Sequence, residues 1–357
     1  LERMTNVGRV DLVLFEFDAA NAASRATLIE RLLERYPECP VIGLGADGSP
    51  EIVLAAMRAG ARDFFVLRRD DENLPALLSK VLRRSVPGGR ASSQKQGRIF
   101  TVFAATPYEG VPFLAEHLAL SMLSRIGKGE RGIIVDMSAP AGSAAVFLNI
   151  NPSYSVLDAI HDVYRCDQTL VDTAFARHAS GLYVLSLPED LIGRPEFNND
   201  EFIKLLEVFR TLFSFTVVSL DAHLPLQTVV GAITQAERSL LVTDQSILKS
   251  RHSKYLLRAL RLEDCPLDRT HLVVDHYQRR LGLEAENLAE LLDLPLIATM
   301  TGQAVNRAQA KNSGEPMSTL APKDPYCREV ELLAEGLFTG QLERVEVERT
   351  LFDRVFG

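Results

Sequence analysis

The chain has 357 residues, of which 46% are hydrophobic and 24% charged, so it is long enough for two or three domains with cores of their own. The net charge of −8 argues against a general nucleic-acid binder, and we expect no specific nucleic-acid partner. No apolar run reaches the roughly 18 residues that span a bilayer, so direct membrane insertion is not expected. Cys39, Cys166, Cys265 and Cys327 are far apart in sequence, which argues against a zinc site or a disulfide framework and fits a reducing cytoplasm.

The clearest boundary in the chain is the polar, Gly- and Ser-rich stretch 86–97. It lacks apolar periodicity and is predicted to be a flexible linker. It separates an N-terminal domain, residues 1–85, from a larger domain, residues 98–340. Residues 341–357 form a C-terminal tail with apolar and acidic positions, which we expect to dock on protein rather than lipid.

Strands and helices alternate in the N-terminal domain. Apolar runs predict strands at 11–17, 40–44 and 63–67, and helical spacing predicts helices at 23–36, 50–59 and 74–83. This alternation indicates a parallel sheet with helices packed on it.

The larger domain repeats the alternation with more elements. Strands are predicted at 98–104, 132–136, 182–187, 215–220, 239–243, 271–274 and 296–299. Helices are predicted at 113–126, 201–212 and 247–262. The expected fold class is α/β, with a doubly wound, mostly parallel sheet in this domain.

In such a sheet the ligand site is expected between the first strand and the next helix, where this chain reads Thr106-Pro-Tyr-Glu-Gly-Val-Pro-Phe-Leu114. Residues 98–126 resemble the strand, phosphate loop and helix of the MinD/ParA ATPases, whose loop is KGGVGKT. Aligned on that loop, the chain has Tyr108, Glu109, Gly110, Val111, Pro112, Phe113 and Leu114.

These replacements remove the groups that hold a nucleotide. Phe113 lacks the lysine charge, Leu114 lacks the hydroxyl for magnesium, and Pro112 has no N–H. Glu109 puts a negative charge where phosphate would lie. The resemblance therefore implies a pseudo-ATPase, with weak ATP or ADP binding left open through Gly110, Val111 and helix N-terminal amides. The alternative that this loop is a plain strand–helix turn that never bound nucleotide is also left open.

The family's acidic positions are altered as well. Residues 213–220 resemble the strand that ends in a metal-linked aspartate, but the matched residue is Ser219, with Asp221 two residues later. Asp136 retains the first acid of the family's DxD pattern, and the second is Ser138. Asp136 is therefore added to Gly110 and Val111 as a candidate of the degenerate nucleotide site.

Further stretches are similar to the CpaE/TadZ proteins of Flp (tight-adherence) pilus systems, at residues 151–160, 167–172, 178–189, 241–249, 294–299 and 311–316. The N-terminal domain resembles a truncated, atypical response-regulator receiver of flavodoxin-like fold. Glu16 falls at the phospho-acceptor aspartate, Gly45 near the switch Thr/Ser and Leu67 at the lysine.

The resemblance implies a non-catalytic scaffold for localisation or assembly of a pilus secretion machine, acting by homodimerisation and by docking other pilus components. Tyr108, Pro112 and Phe113 are the candidate dimer contacts, because MinD/ParA proteins dimerise across their nucleotide loops. The expected location is the cytoplasm, with recruitment to the inner face of the membrane or a cell pole. The alternative is a slow or nucleotide-gated MinD/ParA-type ATPase for cell positioning, aided by Lys128 or Asp221.

The predicted helix 247–262 carries a row of basic residues. Lys254, Arg258 and Arg261 follow each other at four- and three-residue steps and share a face. Two interpretations stay open: a solvated helix face, or a DNA contact of the kind that ParA-like proteins make.

Overall fold

The computed structural model describes residues 13–18, 20–35, 41–46, 48–61, 63–67, 96–279 and 281–342. The chain forms two compact units, Leu1–Gln94 and Lys95–Gly357. The predicted helix at 74–83, nearly all of the linker and the tail beyond 342 lie outside the described residues. No helix within the described residues is both long and apolar enough to cross a membrane.

The first unit contains strands β1 (Val13–Phe17), β2 (Val41–Gly45) and β3 (Asp63–Val66), and helices α1 (Ala22–Arg35) and α2 (Pro50–Arg58). The three strands are parallel and lie in the order β1-β2-β3. Inward side chains of both helices pack with alternate strand residues in one apolar core. This arrangement confirms the predicted parallel α/β module and fits a receiver-like domain.

The second unit is built on an eight-stranded sheet. Its strands are β4 (Arg98–Ala104), β5 (Gly132–Asp136), β6 (Ala176–Arg177), β7 (Tyr183–Ser186), β8 (Phe215–Asp221), β9 (Arg238–Thr243), β10 (Thr270–Val274) and β11 (Leu296–Thr299). Its helices are α3 (Gly110–Leu123), α4 (Ser143–Phe147), α5 (Val156–His161), α6 (Gln168–Ala174), α7 (Asn199–Leu212), α8 (Leu226–Gln235), α9 (Ile247–Leu262), α10 (Ala285–Leu292), α11 (Ala304–Ser313), α12 (Met317–Leu320) and α13 (Pro325–Thr339).

The strand order is β11-β10-β9-β4-β8-β5-β7-β6, and every pairing is parallel except β6 with β7. This confirms the doubly wound, mostly parallel sheet. The sequence missed β6, because two residues are too few to show a period. It also placed the start of α3 at residue 113, whereas the helix begins at Gly110.

Helices cover both faces of the large sheet. One apolar core joins the sheet to α7, α8, α9 and α10, and the other joins it to α3, α4, α11 and α13. Central strands such as β4 and β8 are therefore buried on both sides and consist mostly of apolar residues. The carboxyl ends of β4, β5, β8 and β10 meet at one edge of this sheet, and the candidate site lies there.

Candidate functional site

The junction between β4 and α3 is closed by its own side chains. The Tyr108 side chain folds back over Gly110, so closely that a Cβ on Gly110 would lie 2.3 Å from Tyr108 Cε1 and 2.7 Å from Asp275 Oδ2. Only glycine fits beneath this ring. The predicted candidate Gly110 is thus buried under Tyr108 at the start of the helix.

The backbone amides that a phosphate would need here are partly engaged within the turn. The Val111 N–H donates to the Tyr108 carbonyl at 3.0 Å, and the Phe113 N–H donates to the Glu109 carbonyl at 3.2 Å. Pro112 between them has no N–H to offer. Val111, the second predicted candidate, is fully buried.

Asp275, at the end of β10, is the centre of a buried polar cluster. The Tyr108 hydroxyl donates to its Oδ2 at 2.6 Å, and the Arg307 guanidinium donates to both carboxylate oxygens at 2.8 and 2.9 Å. We call these three side chains the plug. Burial by itself would raise the pKa of Asp275, but Arg307 outweighs it and holds that pKa below its usual range.

Arg307 projects from α11 and is 1% exposed. Its guanidinium carbon lies 4.6 Å from the ring centre of Tyr326 and 5.3 Å from that of Phe113, which are cation–π distances. Arg307 could not be singled out from the sequence, because it belongs to a helix without a recognisable motif.

Two lysines border the plug. Lys249 Nζ lies 3.6 Å from the centre of the Tyr108 ring and 2.7 Å from Asp244 Oδ2. Lys311 Nζ lies 3.0 Å from Glu109 Oε2 and 5.4 Å from the centre of the Phe113 ring. The junction therefore carries positive charge from elsewhere in the chain, although its own lysine positions are lost.

Phe113 and Pro112 do not lie on the surface. Phe113 is fully buried, with its ring centre 4.4 Å from that of His117 and 5.5 Å from that of Tyr326. Pro112 is buried in the first turn of α3. The prediction of these two residues as dimer contacts is wrong, because the aromatic ring fills the domain core. Tyr108 is partly exposed.

A buried acid follows on the same helix. Glu116 is 1% exposed, its Oε1 lies 3.1 Å from His117 Nδ1, and its Oε2 has no hydrogen-bond partner. The Met317 N–H donates to His117 Nε2 at 2.9 Å, so the ring proton belongs on Nδ1, which faces the Phe113 carbonyl at 2.8 Å. Burial raises the pKa of Glu116. A charged residue inside the apolar run of α3 was the sequence signal for this group, and it was missed.

Asp136, at the end of β5, is fully buried and accepts four hydrogen bonds. Oδ1 accepts from the Ser138 N–H at 3.1 Å and from the Ser138 and Ser219 hydroxyls at 2.5 Å each. Oδ2 accepts from the Ala144 N–H at 2.9 Å. Burial raises the pKa of Asp136 despite these bonds. The structure thus brings together Ser138 and Ser219, the two positions at which the MinD/ParA pattern has an acid, and both hydroxyls donate to Asp136.

Asp221 and Lys128, the two residues considered as substitutes, have other surroundings. Asp221 accepts from the Ala139 N–H at 2.8 Å and from the His223 N–H and ring Nδ1 at 3.0 and 2.6 Å. Lys128 is exposed in the loop between α3 and β5, which lies at the opposite edge of the sheet from the plug. Its role as a replacement lysine is therefore excluded by position.

In the first unit, Glu16 is exposed on β1 and pairs in register with Leu44 of β2. Its neighbour Asp18 accepts from the Ala20 and Asn21 N–H groups at 2.8 and 2.9 Å, which orders the turn into α1. Phe15 and Phe17 on either side of Glu16 point into the core. Glu16 is thus accessible as a fixed charge, whereas Asp18 has a local structural role.

Comparison with known proteins supports both units. Residues 2–96 match the family described as pilus assembly protein TadZ N-terminal. No curated protein sequence matches the chain significantly.

Solved structures resemble the second unit. A ParA family ATPase from Chlorobium tepidum TLS is 16% identical, with 67% of this chain and 98% of that chain covered and a TM-score of 0.60. For the MinC:MinD cell division protein complex of Aquifex aeolicus the identity is 16%, the coverage 71% and 99%, and the TM-score 0.57. For the septum site-determining protein MinD of Pyrococcus horikoshii OT3, complexed with Mg-ADP, the values are 14%, 70% and 100%, and 0.55.

At these identities the likeness to solved structures establishes the fold, and the family match concerns the N-terminal unit. The chain therefore resembles CpaE/TadZ proteins: residues 2–96 match the N-terminal family of the pilus assembly protein TadZ, and the second unit has a MinD/ParA fold.

Proposed function

We propose that this protein is a non-catalytic scaffold for localisation or assembly of a Flp (tight-adherence) pilus secretion machine. It acts as a homodimer that docks other pilus components at the inner face of the cytoplasmic membrane or at a cell pole. The family match at residues 2–96 supports the pilus assembly role. The proposed absence of catalysis rests on the residues at the junction between β4 and α3 and on the two buried acids near it.

The observation that carries the proposal is the plug. The amino end of a helix attracts anions, and in phosphate-binding folds it receives the nucleotide phosphates. Here the Asp275 carboxylate lies next to Gly110 at the start of α3, covered by Tyr108 and paired with Arg307. An anionic phosphate entering this position would meet a fixed carboxylate and a tyrosine ring. The residues present do not fit a nucleotide phosphate.

The acids do not suit magnesium either. Asp136 already accepts four hydrogen bonds, three at Oδ1 and one at Oδ2, so most of its acceptor capacity is used within the chain. Asp221 accepts three more from the chain. Hard cations need free oxygen ligands, so this donor set favours a structural role for both acids.

Dimerisation in this proposal does not use Pro112 or Phe113, which belong to the core. At the junction between β4 and α3 itself, Pro107 and Glu109 are exposed and Tyr108 is partly exposed. A contact across this edge would join partly exposed side chains above the plug rather than bound nucleotides.

A nucleotide-gated ATPase remains the second candidate, favoured by one observation. Lys249 and Lys311 bring two ammonium groups to the rim of the junction, and Lys311 lies next to the ring that replaces the loop lysine. If Tyr108 swung away, these lysines would face an opened site.

Calorimetry with ATP and ADP in the presence of magnesium tests the proposal, alongside light scattering for mass. We expect no binding heat and a dimer that is the same with and without nucleotide. Micromolar binding that converts monomer to dimer would replace the scaffold with the nucleotide-gated ATPase.

A tyrosine variant tests whether the Tyr108 ring itself excludes nucleotide. Tyr108→Ala removes the ring above Gly110, and Tyr164→Ala, at a 78% exposed tyrosine, is its matched control. If the ring is what excludes nucleotide, weak binding appears in Tyr108→Ala alone. If neither variant binds, the missing loop groups suffice to explain the loss.

A further inference from the structure

Helix α9 exposes a row of large apolar side chains. Leu248, Tyr255 and Leu262 are 64%, 57% and 77% exposed, and they follow each other at seven-residue intervals. An α-helix drifts only about 20° per seven residues, so the three side chains form one narrow row along the helix. We call this row the α9 seam.

The α9 seam is not needed to hold α9 in place. The opposite face of the helix carries Ser250, Ser253, Leu256, Leu257 and Leu260, which are buried. The leucines among them pack in the core shared with α7, α8 and α10. The helix thus has one apolar face for its own domain and, facing solvent, a row of separate large apolar side chains with arginines between them.

The residues beside the seam are basic. Arg251 and Arg258 are exposed, seven residues apart, and lie next to the apolar row, with Lys254 further around the helix. Within the part of the chain that the structure describes, none of these three forms an ion pair, in contrast to Lys249 and Arg261 on the same helix. Their charges are available to a partner.

We propose that the α9 seam is a docking site for an amphipathic helix of a partner protein, with apolar residues at heptad spacing and an acidic flank. Two helices that pack along their length repeat two apolar positions in each heptad, of which the α9 seam supplies one, and charges beside those positions select the partner. Acidic residues on the partner would pair with Arg251 and Arg258. This inference deepens the proposed docking role and rests on it.

Other occupants fit the same surface less well. A membrane-bound helix buries a broad apolar face, whereas this row is one side chain wide. Nucleic acid would leave Leu248 and Leu262 against phosphates. A second copy packed through α9 would bring Arg251, Lys254 and Arg258 close to the same basic residues, with like-charge repulsion.

The test uses the full chain and a fluorescent synthetic peptide about three heptads long, with leucine at the two core positions and glutamate at the flanking positions. Binding is followed by fluorescence anisotropy without nucleotide. We expect saturable binding that weakens with salt, and about tenfold weaker binding in Arg251→Glu/Arg258→Glu and in Leu248→Ser/Tyr255→Ser. Arg165→Glu/Arg328→Glu, a charge reversal at exposed arginines elsewhere, should bind as the unaltered protein does.

Three outcomes would overturn the inference. The first is no binding of the acidic peptide, and the second is equal binding of a peptide with lysine at the flanking positions. The third is that seam variants lose affinity for anionic phosphatidylglycerol vesicles or for duplex DNA but not for the peptide. Circular dichroism of each variant checks that the fold is intact. Because nucleotide is absent from this assay, its failure would leave the calorimetric test of the non-catalytic proposal unaffected.

Discussion

The plug makes a quantitative prediction about stability. Arg307→Met removes the guanidinium and leaves the Asp275 carboxylate buried, with the Tyr108 hydroxyl as its remaining short hydrogen bond and His276 Nε2 at 3.9 Å. Removing one member of a buried ion pair costs about 3–5 kcal/mol, because the other charge stays uncompensated. Asp275→Asn strands the buried guanidinium in the same way and should cost a similar amount. The double variant removes both charges and should lose less than the sum, with a coupling of about 2–3 kcal/mol.

Urea unfolding followed by circular dichroism measures this cycle, since the chain has no tryptophan to serve as a fluorescence probe. The folded pKa of Asp275 is lowered, so its contribution is present above the unfolded pKa of about 4 and is lost as the pH falls through the folded value. The cost of Arg307→Met should therefore shrink in acid. Additive effects of the two substitutions at neutral pH would refute the reasoning, because they would mean that the two groups do not stabilise each other.

Three further predictions concern the same edge of the sheet. Burial raises the folded pKa of Glu116, so the stability that the protonated carboxyl contributes is present at low pH and is lost as the pH rises through that folded value. Glu116→Gln is neutral at every pH, so its stability relative to the unaltered protein should increase with rising pH by about 1.4 kcal/mol per unit of pKa elevation. A pH-independent difference in urea unfolding would contradict this. Ser219→Asp introduces the acid that MinD/ParA proteins have at this position, but it places that acid against the buried carboxylate of Asp136. We therefore expect destabilisation by about 3 kcal/mol or more and no ATP turnover. Phosphate release by this variant would contradict the expected lack of turnover. Gly110→Ala pushes a methyl group into the Tyr108 ring and towards Asp275 Oδ2, and it should cost about 1–3 kcal/mol in urea unfolding. The same substitution should cost less in the Tyr108→Ala background, where only the Asp275 contact remains; an equal cost in both backgrounds would mean that the ring is not the obstacle.

The local pattern of residues was sufficient for much of the architecture. Strands β4, β5 and β11 and helix α9 have the bounds that apolar periodicity predicted, because buried parallel strands and amphipathic helices have distinct periods. The two-residue strand β6 was missed, since it pairs with β7 through the fold rather than through a pattern of its own.

The predicted interface residues show where local reasoning fails. Tyr108, Pro112 and Phe113 were predicted as dimer contacts because they are apolar residues of the loop across which MinD/ParA proteins dimerise. Whether each side chain points to solvent or to the core depends on what packs on α3. The ring of Tyr326 on α13, a distant part of the chain, packs against the Phe113 ring. Sequence adjacency therefore could not decide exposure.

The sequence by itself determined that residues 106–114 contain no lysine, that Leu114 has no hydroxyl and that positions 138 and 219 are serines, because those are properties of single side chains. Only the tertiary structure decided which side chains meet at this junction. Tyr108 and Asp275 are 167 positions apart, and Asp275 and Arg307 are 32 positions apart. They meet because the carboxyl ends of β4 and β10 lie at the same edge of one parallel sheet and α11 packs beside it. A buried ion pair needs both partners within hydrogen-bond distance, and only the folded chain sets that distance.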